Sequence, residues 1–407
     1  MTVRNSSYQI SPFVMTLVDV DVTNFVVGQP GAELIPQSLL DRAVTQTLSE
    51  NIDPFIYQYG PARGPFPARA ELVKFLISSN RYPQNITASS LIMTYGNSHA
   101  IGVAVQSLTE PGDTILVEEP TYFLAGKIFQ DCRVQIHACG VDPSTGLDVS
   151  HLESMVKTLR PRLVYVNPIH HNPTGTSMPI HARDRLIQLS NEYGFIIVSD
   201  EPYVMLTFSD TVREEECSLG VTAERLFPDF KNLICCGSFS KMLAPGLRCG
   251  WMSGNPCVID EISRNGALNS GGGPSSIITE SITNLIKSGE FQRHLAYVRQ
   301  CLESRLAALC ESLESEFETD DIEYHKPSGG YFVFLRFRDS SIDSVDLSNF
   351  LSEKGYPVKC LPGPLCVALK RDAHVTQGLR LAFSFYTPEE IRRGIRVLAS
   401  GYRAYRS

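Results

Sequence analysis

The chain has 407 residues, of which 43% are hydrophobic and 20% charged, and a net charge of −8. That length allows a large core and more than one domain, and an acidic balance without a basic cluster excludes a nucleic-acid footprint. No window has the apolar length of a membrane span and the first residues lack a signal-peptide pattern, so no membrane partner is expected.

The first 45 residues read as a segment that joins a smaller domain. Further on, "TYGNSHAIGVAVQSL" is a turn opening a helix, with Asn97 and Ser98 at its start. Strand candidates rich in β-branched and aliphatic residues follow: "DTILVEEP", "RVQIHACGV", "RLVYVNP", "FIIVSDEPY" and "LICCGSFS". Helical patterns separate some of them. "HARDRLIQLSNEYG" sets Leu186, Leu189 and Tyr193 on one stripe and stops at Gly194. Nearly continuous apolar strands alternating with helices predict an α/β architecture, a parallel sheet covered on both faces. The segment 207–230, rich in acidic residues, reads as a long charged surface excursion.

The eleven cysteines are scattered, odd in number and mostly inside apolar runs. Cys235, Cys236, Cys301 and Cys310 read as small hydrophobes. Without a Cys-x-x-Cys pair or zinc spacing, no metal is expected, and the setting predicted is a reducing cytoplasm.

After about Glu290 the texture changes. Leu295, Val298, Leu302, Leu306, Leu309 and Leu313 recur at helical spacing, and short strands follow in "YFVFLRF" and "GLRLAFSF". A last helix opens at "TPEE", with Thr387 as N-cap, Pro388 first and Glu390 closing a capping box. The division predicted is an N-terminal segment over 1–45, a large domain over 46–289, and a small α+β domain over 290–407.

Three strand ends carry polar residues that an apolar strand does not explain. They deliver Asn172, then Asp200 and Tyr203, then Ser238, Ser240 and Lys241. Ligands of open α/β sheets bind at such ends, so an amide, an acid, a phenol and an amine are predicted to converge on one crevice.

With "YQYGPARGPFPAR", "TYGNSHAI", "EEPTYF", "HNPTG", "SDEPY", "SFSKMLAPGLRCGW" and "GLRLAFS" in this order, the chain resembles the class I/II, fold type I, pyridoxal-phosphate aminotransferases, in the branch of aminoadipate and aromatic enzymes. The resemblance implies a large domain with a mostly parallel mixed sheet, pyridoxal 5'-phosphate as cofactor, and a homodimer. It makes Lys241 the Schiff-base lysine and general base, and Asp200 the partner of the pyridinium nitrogen. Tyr203 and Asn172 would bond the ring's phenolate oxygen, and Tyr122 would cover the ring face. Asn97 and Ser98 at a helix N-terminus, with Ser238, Ser240 and Arg248, would cradle the phosphate. Tyr59 would cross to the partner's phosphate. Arg380 would grip the substrate α-carboxylate, beside Asn172 and Gly28.

The implied reaction moves an α-amino group between an amino acid (aromatic, apolar or aminoadipate-like) and a 2-oxo acid. The alternative is a secondary-metabolism enzyme that uses the same carbanion for β/γ-substitution, decarboxylation or carbon–carbon bond formation. Val27 stands where the family carries a glycine and is expected to reshape the pocket. The run Gly271 to Gly273 reads either as a flexible surface loop or as a site-closing element, and "HHNPTG" brings His170 and His171 beside the cofactor strand.

Overall fold

The computed structural model describes residues 21–50, 54–142, 146–368 and 375–407. The chain contributes, in order, strands β1 (Thr23–Asn24), β2 (Leu91–Thr94), β3 (Thr114–Glu119), β4 (Gln135–Asp142), β5 (Gly146–Leu147), β6 (Leu163–Val166) and β7 (Ile196–Asp200). The later strands are β8 (Leu233–Ser238), β9 (Gly250–Gly254), β10 (Ile322–Tyr324), β11 (Phe332–Phe337), β12 (Val358–Lys359), β13 (Leu361–Pro362) and β14 (Gly378–Ala382).

The larger sheet runs β2-β9-β8-β7-β6-β3-β4-β5. The five strands from β8 to β4 are mutually parallel, whereas β2, β9 and β5 pair antiparallel with their neighbours. Period-two alternation explains why these strands are apolar throughout. In β6, Leu163 and Tyr165 enter a core with the helices Asn97–Leu108 and Phe123–Asp131, while Val164 and Val166 enter the opposite core with Val149–Leu159 and Ile180–Tyr193. The adjacent Cys236 and Cys235 divide between the same two cores. All eleven cysteines are free thiols.

Strands β2 and β9 were not among the sequence candidates. Gly250 opens β9 at a close approach: a Cβ there would fall 2.6 Å from the Gly237 carbonyl oxygen. The predicted charged excursion is also corrected. Within it the helix Leu219–Leu226 puts Leu219 and Ala223 into the core, capped by the Ser218 hydroxyl. Glu216 is fully buried, accepting from Arg213 Nη2 and Ser328 Oγ. Pairing of Oε1 with a guanidinium and a hydroxyl lowers the cost of that burial.

The second sheet, β10-β11-β14-β13, is antiparallel. It packs under the helices Glu290–Glu316 and Pro388–Arg406, whose buried stripes include the six predicted positions from Leu295 to Leu313. The Thr387–Glu390 capping box forms as expected. From the N-terminal segment, β1 pairs in parallel with β12. Among the described residues, no helix is long and apolar enough to cross a membrane.

Candidate active site

In the large sheet, β3 has β4 on one side and β6 on the other, so the strand order reverses there. Such a switch point leaves a crevice at the carboxyl ends of the strands. A cavity of about 530 Å³ lies there. Gly28, Asn97, Ser98, Tyr122, Asn172, Asp200, Tyr203, Ser238, Ser240, Lys241, Arg248 and Arg380 all line it. Tyr59 does not. It stands 87% exposed, against the backbone of Gly271.

Asp200, the last residue of β7, is buried among hydrogen-bond donors. Tyr165 Oη donates to Oδ2 at 2.5 Å and Asn97 Nδ2 donates to Oδ1. Burial still wins over these two bonds and pushes its carboxyl up to about 7. Lys241 moves the other way, down to about 8, because burial and the Arg380 charge disfavour the ammonium. Its Nζ donates to the Gly28 carbonyl at 2.7 Å, and Tyr331 Oη pins its main-chain carbonyl at 2.8 Å. Burial also raises the Tyr203 phenol well above its ordinary value. It is therefore a hydrogen-bond donor at neutral pH.

The Asp200 shift has a measurable sign. A carboxyl whose folded value is raised binds an extra proton in the native state below about pH 7, and above it the buried charge is a cost of folding. Asp200→Asn should make the cofactor-free protein more stable than wild type by a few kcal/mol at about pH 8, and the gain should shrink as pH falls through about 7 and vanish near about pH 3, below the unfolded carboxyl's value, where both states are mostly protonated. Denaturant titrations at the two pH values measure this. Equal gains at both would contradict carboxylate burial as the cause.

The anion cradle is built locally. The helix Asn97–Leu108 has no side-chain cap, which leaves its first N–H groups without intrahelical partners at the end where Asn97 and Ser98 line the cavity. Arg248 has a left-handed backbone, φ 48°, and its guanidinium is tied to the carbonyls of Pro245 at 3.0 Å and Tyr95 at 2.9 Å. Such a conformation in a non-glycine residue is held by its surroundings. At the opposite wall, Leu379 and Leu381 of β14 belong to the core, so the alternate Arg380 reaches the cavity. Arg380 Nη1 donates to Asn172 Oδ1 at 2.9 Å, Nη2 donates to the Val26 carbonyl, and Cζ lies 4.3 Å from the Phe332 ring centroid. Arg380 Nε and Asn97 Oδ1 are buried and have no partner among the described residues. A molecule with a phosphate, a reactive carbonyl and a basic ring nitrogen fits this donor set: cationic cradle, amine and buried acid line one cavity.

Several lining residues lie outside what the sequence pointed to. Asn167, Gln29, Phe123, Leu124 and Phe332 face the cavity, and Tyr165 supports Asp200 from behind. Of these, Asn167 shares the strand-end position that marks Asp200, whereas Tyr165 reads only as a core aromatic of the strand before the "HNPTG" loop. The expectation for Val27 is corrected: in the turn after β1, Val26 lines the cavity, whereas Val27 is buried and does not line it. Gly28 is required by contact, since a Cβ would fall 2.5 Å from Phe332 Cζ. The run Gly271 to Gly273 is no loose loop. Gly271 has φ +112° and would drive a Cβ into the Tyr59 ring, and Gly272 packs on the Ala267 carbonyl. His170 and His171 are both buried: His170 Nε2 lies 2.8 Å from Thr207 Oγ1, and His171 Nε2 lies 3.3 Å from Glu118 Oε2.

The profile of the family "Aminotransferase class I and II" matches residues 20–398. The chain is 29% identical to aromatic-amino-acid aminotransferase 1 of Thermococcus litoralis, over 93% of this chain and 87% of that one. It is 27% identical to the 2-aminoadipate transaminase of Thermus thermophilus, over 77% and 75% of the two chains. Its fold is similar to that of the kynurenine aminotransferase of Pyrococcus horikoshii, with a TM-score of 0.83, 28% identity, and coverage of 95% and 92%.

Proposed function

The chain belongs to the class I and II aminotransferases, and from that premise we propose that it takes the amino group of an amino acid with an aromatic or apolar side chain and passes it to a 2-oxo acid. It is a pyridoxal 5'-phosphate-dependent transferase acting on amino acids and 2-oxo acids. The relatives above, all named for amino-group transfer, favour that outcome over substitution, decarboxylation or carbon–carbon bond formation. The observation that carries the substrate class is the cavity wall. Val26, Phe123, Leu124 and Phe332 supply apolar surface beside Arg380. Among the described lining residues the charged ones are Asp200, Lys241, Arg248 and Arg380, and each has another assignment.

Pyridoxal phosphate supplies, when bound, an aldehyde that condenses with amines and a ring that takes up the electrons released when an α-proton leaves. The phosphate would be held by Ser98, Ser238, Ser240, Arg248 and the helix N-terminus, the ring nitrogen by Asp200, and the ring face by Tyr122. Arg380 occupies Asn172 Oδ1, so the Asn172 amide can turn its N–H groups to the ring oxygen, beside the donor Tyr203. Lys241, its proton affinity lowered by burial, is suited to take the α-proton and return it elsewhere. Arg380 would hold the α-carboxylate as a fork.

The homodimer belongs to this proposal. Tyr57 and Phe66 are exposed together with Tyr59, 68% and 63% respectively, and Tyr59 would complete the partner's phosphate cradle. We place the domains at 46–289 and 290–407, with 1–45 joining the second. The β1–β12 pair supports that join, and residues 1–20 lie outside the described residues. Free thiols throughout support a cytoplasmic setting.

A half-reaction screen tests the reading. Loaded enzyme mixed with single amino acids should lose its visible cofactor band fastest with phenylalanine, tyrosine or leucine, and at least about ten-fold faster than with aspartate. If no amino acid discharges the band, the aminotransferase assignment of this chain's site fails. Preference for an acidic side chain overturns the substrate class alone.

A further inference from the structure

Resting on the cofactor site proposed above, we propose that Asn167, outside every motif read in the sequence, is a positioning residue that holds the acid and the amide of that site in register. It stands just past β6, is 1% exposed, and lines the cavity. The ladder between β6 and β7 ends at the pair Val166 and Ser199, because Pro168 then turns the chain away. Beyond that point the Asn167 side chain supplies the missing rung. Its Nδ2 donates to the main-chain carbonyl of Asp200 at 2.6 Å, and its Oδ1 accepts the main-chain N–H of Asn172 at 2.8 Å. One amide thus ties together the two residues assigned to the ring nitrogen and the ring oxygen.

Asn167 is itself anchored. Its N–H donates at 2.6 Å to Glu118 Oε2 at the end of β3, a buried carboxylate that faces His171 Nε2 at 3.3 Å. His171 Nδ1 lies 2.8 Å from Thr174 Oγ1, so the anchor reaches the "HNPTG" loop from its other side. An apolar side chain of the same size would fill the volume but leave the Asp200 carbonyl and the Asn172 N–H buried without partners. Such groups cost more than a hydrogen bond contributes, so the strand ends would shift to find new ones.

Two variants test this, with pyridoxal 5'-phosphate as the probe. Asn167→Leu should raise the dissociation constant of the cofactor about ten-fold or more. It should also move the pH at which the visible band titrates, a change that a lower thermal midpoint of the cofactor-free chain would not by itself produce. Asn167→Asp gives the readout that a merely structural residue would not. Its carboxylate can accept from Asn172 but only its protonated form can donate to the Asp200 carbonyl, so cofactor affinity should recover as pH falls. Glu118, Asp200 and His171 surround this position in wild type too, so the recovery is read relative to wild type at each pH. Wild-type affinity and an unshifted band in Asn167→Leu would overturn the inference and leave the site reading standing. If that variant does not fold, an affinity of Asn167→Asp that follows wild type across pH overturns it equally. A wild-type chain that forms no covalent link to the cofactor overturns the reading beneath.

Discussion

Lys241→Ala should bind pyridoxal phosphate yet form no borohydride-trappable link to it, and turnover should fall on the order of 10⁴-fold or more. The size follows from what the side chain does in its place. Its Nζ is held by the Gly28 carbonyl, and burial has lowered its proton affinity to about 8, so near neutral pH an appreciable fraction is the free amine. No other amine lines the cavity among the described residues. Added ethylamine, small enough for the space left by truncation, should restore part of the rate. A variant that keeps its link or its turnover would remove Lys241 from the mechanism. The same variant tests the dimer. Mixed with Tyr59→Ala chains and reassembled, it gives hybrids in which one site has both its own lysine and its partner's tyrosine. With random assembly, about a quarter of all sites would be whole. Activity above both parents is expected. Its absence would mean that Tyr59 does not cross between subunits.

The site was legible where chemistry sits at strand ends, and illegible where it depends on which ends meet. Asp200 and Lys241 follow apolar runs, so their polarity stands out along the chain. Asn167 also ends a strand, but its work exists only once β3, β6 and β7 lie side by side, 49 residues from its Glu118 partner and 33 from Asp200. Tyr165 reads as a core aromatic until its hydroxyl is seen on Asp200. Glu216 reads as solvated charge because nothing local reports that Ser328 closes over it. Val26 and Val27 show the finest limit. Composition is the same at both, and only backbone direction decides which one faces the cavity.

Arg380→Ala should lower kcat/KM for amino acids by about 10²- to 10³-fold, the loss expected when one partner of a buried, hydrogen-bonded charge pair is removed. Two physical effects are mixed in that number. One is the lost fork for the α-carboxylate. The other is release of Asn172, whose Oδ1 is held by Arg380 Nη1, and of the Val26 carbonyl held by Nη2. A substrate pair separates them: phenylalanine, and the amine of the same skeleton without a carboxylate. If the fork dominates, the variant loses the amino acid reaction and keeps the slow amine reaction, so their ratio collapses. If amide orientation dominates, both fall together and the visible band titrates at a new pH. Burial disfavours the guanidinium charge, and Phe332 stacks on one face of it, so the bare cation is poorly solvated. A carboxylate arriving there gains more than it would from an exposed arginine. Arg380→Lys keeps the charge but not the fork, and should recover less than about a tenth of the loss. Full recovery by lysine would show that charge alone suffices, and would remove two-pronged geometry from the account of binding.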